Sequence, residues 1–297
     1  MVKLAPNPSA AESNPVERLS ILAPAVMLFG FIVGMFGVYC VLCWSGRAPK
    51  LGKLKTNDIF GPFLTRYIVW LLQPIEKMLV ASHVSPNVIT GLSLAACAGA
   101  GVAIAFGNLA TGAWLYIAGG VLDLLDGRLA RATGRQTQAG ALFDSVADRW
   151  AELAFFTGFA WYLRDGGWLL AVMGAAGGSI MVSYTRARGE GFGLELKVGS
   201  MQRAERMVLV SLGTLIAAWF AASPATAQFS AAAAGISLAI CGVLSSWTAV
   251  GRWVEGYRLL VAKEPGAERR AEEAEARKAE AAMRITGEAA MRITGEL

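Results

Sequence analysis

Long apolar runs separated by short polar turns set the plan of this chain. Seven of them, at 19–45, 88–106, 111–127, 142–163, 167–185, 207–222 and 229–251, approach the length a helix needs to cross a bilayer. None alternates as a barrel strand must, and a backbone in lipid has to satisfy its own polar groups, so each run predicts a helix. The expected fold class is an all-α integral membrane protein built as a helical bundle. A further apolar stretch, IFGPFLTRYIVWLLQPIEKMLV at 59–80, is interrupted by Arg66, Glu76, Lys77 and two prolines. That pattern predicts an amphipathic helix lying in the membrane interface rather than crossing it.

Composition agrees with the pattern. At 55% hydrophobic residues, 16% charged residues and a mean hydropathy of +0.48, the chain is too apolar for a soluble domain of 297 residues. Cys40, Cys43, Cys97 and Cys241 all fall within apolar runs, without the spacing of a zinc site or a disulfide framework. The net charge of +5 comes from residues that flank the spans rather than from one patch, so no nucleic-acid partner is expected.

Arg47, Lys50, Lys53 and Lys55 follow the first run, Arg128, Arg131 and Arg135 the third, and Arg252, Arg258 and Lys263 the last. The intervening turns GNLATG and SPATAQ carry no charge. The positive-inside rule puts the basic loops and the C-terminus in the cytoplasm and the N-terminus outside, and makes the plasma membrane the expected location. The first run is expected to be a retained anchor, since its apolar core exceeds a signal-peptide core and no small-residue cleavage site precedes the basic flank. From Glu264 the sequence changes to a charged, low-complexity tail in which AAMRITGE occurs twice, at 281–288 and 289–296. Three segments follow: 1–56 with the extra span, 57–256 as the main domain, and 257–297 as a cytoplasmic tail.

Four carboxylates depart from this apolar plan. Asp123 and Asp126 close the third run, three residues apart, and Asp144 and Asp148 open the fourth, four residues apart. Each spacing puts its pair on one helical face. The short connection makes the two helices antiparallel neighbours, so both pairs meet at the cytoplasmic edge. Ionisable groups at that depth usually mark a site, and divalent cations with hard-oxygen preference, Mg²⁺ or Mn²⁺, answer the repulsion; two such ions can share a carboxylate cluster, and two are expected here. The alternative is a set of loop salt bridges to Arg128, Arg131, Arg135 and Arg149. Gly127 and Gly140 beside the carboxylates leave room for a ligand.

The order Asp123-x₂-Asp126-Gly127-x₂-Ala130-Arg131-x₈-Gly140-x₃-Asp144-x₃-Asp148 resembles the signature of the CDP-alcohol phosphotransferases. The resemblance covers about residues 57–256 and implies a six-helix membrane bundle, here with an extra N-terminal helix and an interfacial one. It also implies a homodimer that transfers a phosphatidyl-type group from CDP-diacylglycerol or a related CDP-lipid to an alcohol, with release of CMP. By the family pattern Asp123, Asp126, Asp144 and Asp148 hold the metals, and Asp148 takes the proton of the attacking hydroxyl. Gly127, Ala130, Arg131, Thr137 and Gly140 fall at CDP-lipid-binding positions. HVSPNVIT at 83–90 resembles the family's Pro-Asn-x-x-Thr motif, which adds Asn87 and Thr90 as candidate nucleotide contacts. Without the resemblance, Ser85-Pro86-Asn87 is simply a helix-start signal. His83 is given no role.

The loop after the fifth run is basic. Arg203 and Arg206, three apart, share a helical face, and Arg186 stands just before the loop. Guanidinium groups suit a phosphate, so the acceptor alcohol is expected to be phosphorylated. Ser-Tyr-x-basic-Ala-Arg followed by Arg-x-Glu-Arg resembles the subgroup that makes phosphatidylinositol phosphate, or its archaeal ether-lipid counterpart, from inositol phosphate. Arg186 stands where that subgroup often has lysine. Glycerol 3-phosphate is the alternative acceptor, and Arg188 and Lys197 are read as topological charges. A divalent-cation transporter is the alternative from another class, though it has no need of Gly127, Ala130, Arg131 and Gly140 at these spacings.

Overall fold

The computed structural model describes residues 15–45, 61–196, 198–264 and 266. Eight α-helices follow in the expected order among these residues: α1 Pro15–Trp44, α2 Gly61–Ala81, α3 Pro86–Ala105, α4 Leu109–Ala132, α5 Gln138–Tyr162, α6 Leu169–Gly191, α7 Arg203–Ala221 and α8 Ser230–Ala262. A 3₁₀ turn, Ala227–Phe229, leads into α8. The charges expected at Arg47, Lys50, Lys53, Lys55 and Lys197, and the repeat-bearing tail, lie outside the described residues.

The helical expectation holds, but the helices outrun the apolar runs that announced them. α4 continues to Ala132 and α5 begins at Gln138, so all four aspartates lie within helix rather than at its ends. Apolarity reports what contacts lipid, whereas a helix continues until a cap stops it. Among the described residues, four stretches are long and apolar enough to cross a membrane: Pro86–Ala105, Leu109–Ala132, Arg203–Ala221 and Ala227–Ala262. α5 has the length, but Asp144, Asp148, Arg149 and Glu152 interrupt its apolar character. In α6 the glycines and the serine of GAAGGS do the same more mildly.

The chain divides into two compact units: residues 1–184 with 199–249, and residues 185–198 with 250–297. In the first, α3 packs on both α4 and α5, and α4 on α7 and α2. Its core holds Cys97, Ile104, Tyr116, Phe155, Phe159, Val210 and Leu238. Tyr116 and Phe155 stack with ring centroids 3.5 Å apart. Where α3 crosses α5, Gly101 and Gly158 meet backbone to backbone, and a Cβ on either would strike the other helix's main chain.

A second cluster, Leu72, Ile89, Leu125 and Leu129, packs α2 against the adjoining ends of α3 and α4. Arg128 on α4 donates through Nε to Glu76 on α2 at 2.9 Å, a part-buried pair that ties the expected interfacial helix to the bundle. α1 joins α2 through the rings of Phe36, Tyr39, Phe63, Tyr67 and Trp70, with the Tyr67 hydroxyl donating to the Ile32 carbonyl. In the second unit Arg252 donates to the Val198 carbonyl at 2.9 Å, and Leu196 fills the space left by Gly189 and Gly256.

Candidate active site

The antiparallel pair α4 and α5 delivers the aspartates as their spacing requires. One oxygen from each of Asp123, Asp126 and Asp144 lies within 4.8 Å of the other two. Three hard carboxylate donors at that separation suit Mg²⁺ or Mn²⁺. Asp126 is buried, and Thr90 on α3 donates to its Oδ2 at 2.6 Å. Thr90, expected as a nucleotide contact, is itself 4% exposed, and its hydroxyl also lies 3.2 Å from the Pro86 carbonyl. Its hydroxyl therefore orients the Asp126 carboxylate, the kind of support that a carboxylate in a metal site receives.

Asp148 stands one helical turn beyond Asp144 and is engaged differently. The Arg203 guanidinium, from the first turn of α7, bridges Asp148 and Asp123. Arg203 Nε is buried without a hydrogen-bond partner, so this side chain keeps a spare donor at the site.

One turn deeper, Arg206 donates to Glu152 Oε1 through Nε at 3.1 Å and through Nη2 at 2.6 Å, and through Nη1 to the Met201 carbonyl at 3.0 Å. Both side chains are almost wholly buried, at 2% and 4% exposure. Glu152 went unremarked in the sequence, although a lone glutamate inside an apolar run is a signal in its own right. Arg186 belongs to the second unit, is exposed, and pairs with Glu190 at 3.0 Å.

Beside the carboxylates opens a cavity of about 380 Å³, lined by Asn87, Thr90, Asp126, Gly127, Ala130, Arg131, Thr137, Gly140 and Asp144, with Pro86, Arg135, Gln136 and Ala141. Every position expected to bind the CDP-lipid is thus on one wall or another of a single space that also contains two of the aspartates. Gly140 makes this possible: a Cβ there would sit 3.0 Å from Thr137 Oγ1 and 3.4 Å from Asn87 Oδ1. At Gly127 a Cβ would meet Arg131 Nη1 at 3.3 Å, so the bare backbone lets that guanidinium lie close. Thr137 caps α5 by accepting from the Gly140 amide at 3.0 Å.

Residues 83–253 match the CDP-alcohol phosphatidyltransferase family. A phosphatidylinositol phosphate synthase of Streptomyces avermitilis is 38% identical over 185 residues, covering 59% of this chain and 72% of the relative. An archaetidylinositol phosphate synthase of Methanothermobacter thermautotrophicus is 37% identical over 178 residues, covering 58% of this chain and 85% of the relative. The crystal structure of Mycobacterium tuberculosis phosphatidylinositol phosphate synthase (PgsA1) with CDP-DAG bound superposes with a TM-score of 0.55 at 27% identity, covering 67% of this chain and 96% of that one. The same enzyme with manganese and citrate gives a TM-score of 0.55 at 28% identity, covering 65% of this chain and 90% of that one. With the match extending over more than half its length, and with the aspartates and cavity placed as described, the chain belongs to the CDP-alcohol phosphatidyltransferase family.

Proposed function

We propose that this protein transfers the phosphatidyl group of CDP-diacylglycerol to a hydroxyl of inositol phosphate, forming phosphatidylinositol phosphate and releasing CMP. The observation that carries this reading is the single cavity in which Asp126 and Asp144 share walls with the seven candidate CDP-lipid residues. Relatives named for inositol phosphate chemistry, at 37–38% identity, support the acceptor. The basic flanks of the spans support a cytoplasm-facing site in the plasma membrane. Dimerisation is carried over from the family resemblance.

Asp123, Asp126 and Asp144 would hold the divalent cation or cations, with Asp148 completing the set. A cation there would offset the charge of the diphosphate and of the departing CMP. Asp148 takes the proton from the acceptor hydroxyl as its oxygen bonds to the lipid-side phosphorus and the bond to the CMP oxygen breaks. Thr90 fixes the rotamer of Asp126, and Asn87, Gly127, Ala130, Arg131, Thr137 and Gly140 receive the nucleotide and diphosphate. Arg203 receives the acceptor phosphate, which its bridge between Asp123 and Asp148 would bring beside the base. Arg206, whose donors go to Glu152 and Met201, serves by holding α7 in register, and Arg186 enters on its sequence pattern alone.

The test is CMP release by purified protein with CDP-diacylglycerol, Mg²⁺ or Mn²⁺, and in parallel inositol phosphate, glycerol 3-phosphate, inositol and serine. Release with inositol phosphate alone is the expected outcome. Release with glycerol 3-phosphate instead would replace the acceptor and keep the site, and no release with any of them would overturn the reading.

A further inference from the structure

Arg135 lies outside the aspartate signature, among the eight residues between Arg131 and Gly140 whose identity that signature leaves unspecified. The structure nevertheless holds it with unusual care for a loop residue. α4 ends in a reciprocal cap: Gly134 takes the left-handed conformation at φ 65°, its amide donates to the Arg131 carbonyl at 3.4 Å, and the Arg135 amide donates to the Ala130 carbonyl at 3.0 Å. Two residues later Thr137 caps α5. Only Gln136 separates the two caps, so the backbone of Arg135 is fixed from both sides.

The side chain is tethered as well. Arg135 Nη1 donates to the His83 carbonyl at 3.4 Å, and His83, just past the end of α2, is the one non-glycine residue with positive φ among those described, at 55°. That conformation costs energy for a residue with a Cβ, and strain of this kind persists where the surroundings enforce it. No carboxylate among the described residues lies within ion-pair distance of Arg135. A guanidinium has five donors, and the tether uses one. Arg135 lines a cavity whose walls also include Arg131, from the last turn of α4, and Asp126 and Asp144.

We infer that Arg135 is a further binding residue of this site, giving its guanidinium together with Arg131 to the diphosphate of the CDP-lipid, with the His83 carbonyl as its positioning contact. The inference rests on the proposed function. A planar guanidinium is suited to two phosphate oxygens at once, and a cavity of about 380 Å³ is within the range of small-ligand sites. The alternative role is purely structural, an arginine capping the last carbonyls of α2.

The experiment measures CDP binding to the purified full-length protein in detergent with Mn²⁺, by calorimetry, for wild type, Arg135→Ala and Arg135→Lys, alongside thermal unfolding and the two KM values. Arg135→Ala is expected to weaken CDP binding roughly 10- to 100-fold, the effect of losing a charge-assisted hydrogen-bonding group. Arg135→Lys should fall between, because it keeps the charge and loses the fork. The KM for CDP-diacylglycerol should rise while that for inositol phosphate and the unfolding temperature stay as in wild type. Unchanged CDP affinity in Arg135→Ala, or a loss seen only as lowered unfolding temperature, would overturn the inference and leave the proposed function standing. Failure of the wild type itself to bind CDP would overturn both.

Discussion

Asp126 and Asp148 are the same residue type on neighbouring helices, yet they have different neighbours, which fit the different roles proposed for them. Asp126 is buried and accepts a hydrogen bond from Thr90, which fixes the orientation of its carboxylate. Thr90→Val keeps the shape and removes that donor, and is expected to weaken Mn²⁺ affinity about 10- to 100-fold in a direct titration. Asp148 touches Arg203 instead and sits a turn farther along α5. Asp148→Asn should lower turnover roughly 10²- to 10⁴-fold, the usual contribution of a general base, while CDP still binds. Arg203→Ala should raise the KM for inositol phosphate roughly 10- to 100-fold in initial-rate assays. An unchanged KM would return Arg203 to the part of a counter-charge for Asp123 and Asp148.

At the scale of elements, α5 and α7 are joined by two successive rungs. Asp148 and Glu152 are four apart on one helix, Arg203 and Arg206 three apart on the other, and each carboxylate meets its own guanidinium. The upper rung opens on the site, whereas the lower is sealed in the core. Removing one member of a buried pair strands the other, at a cost of about 3–5 kcal/mol. Glu152→Gln or Arg206→Ala should therefore lower the unfolding temperature in detergent sharply, with activity falling as a consequence.

The sequence made the upper rung's carboxylate legible, because Asp148 belongs to a recurrent spacing. It left the lower rung unread, because Glu152 falls alone within an apolar run and its partner comes from a helix 54 residues away. The same limit explains Thr90: its position in Pro-Asn-x-x-Thr suggests a nucleotide contact, and only the packing of α3 against α4 shows its hydroxyl on Asp126. Helix centres were legible from apolarity throughout. Helix ends were not, since α4 and α5 continue through polar sequence until Gly134 and Thr137 stop and start them.

For the molecule as a whole, the site depends on elements that contribute nothing to it directly. α1 grips α2 through an aromatic cluster, and α2 backs the ends of α3 and α4 that carry Thr90 and Asp126. The cation has a whole-molecule part as well, since Asp123, Asp126 and Asp144 bring like charges together from two helices. Chelation with EDTA should abolish CMP release and lower the unfolding temperature together, and Mg²⁺ or Mn²⁺ should restore both.

The crossing of α3 and α5 has a longer reach than its location suggests. Gly101 and Gly158 touch main chain to main chain, with no side chain between to yield. At 1.5 Å per residue the contact is about 16 Å along α3 from Thr90 and about 21 Å along α5 from Asp144. It is a fulcrum, and two helical arms run from it to Thr90 and Asp144, both of which line the cavity. A methyl group inserted by Gly101→Ala would part the arms at the pivot, and the gap between Thr90 and Asp144 would register the change. Such a variant, altered in the apolar interior and far from any reacting atom, should display the kinetics of a damaged active site.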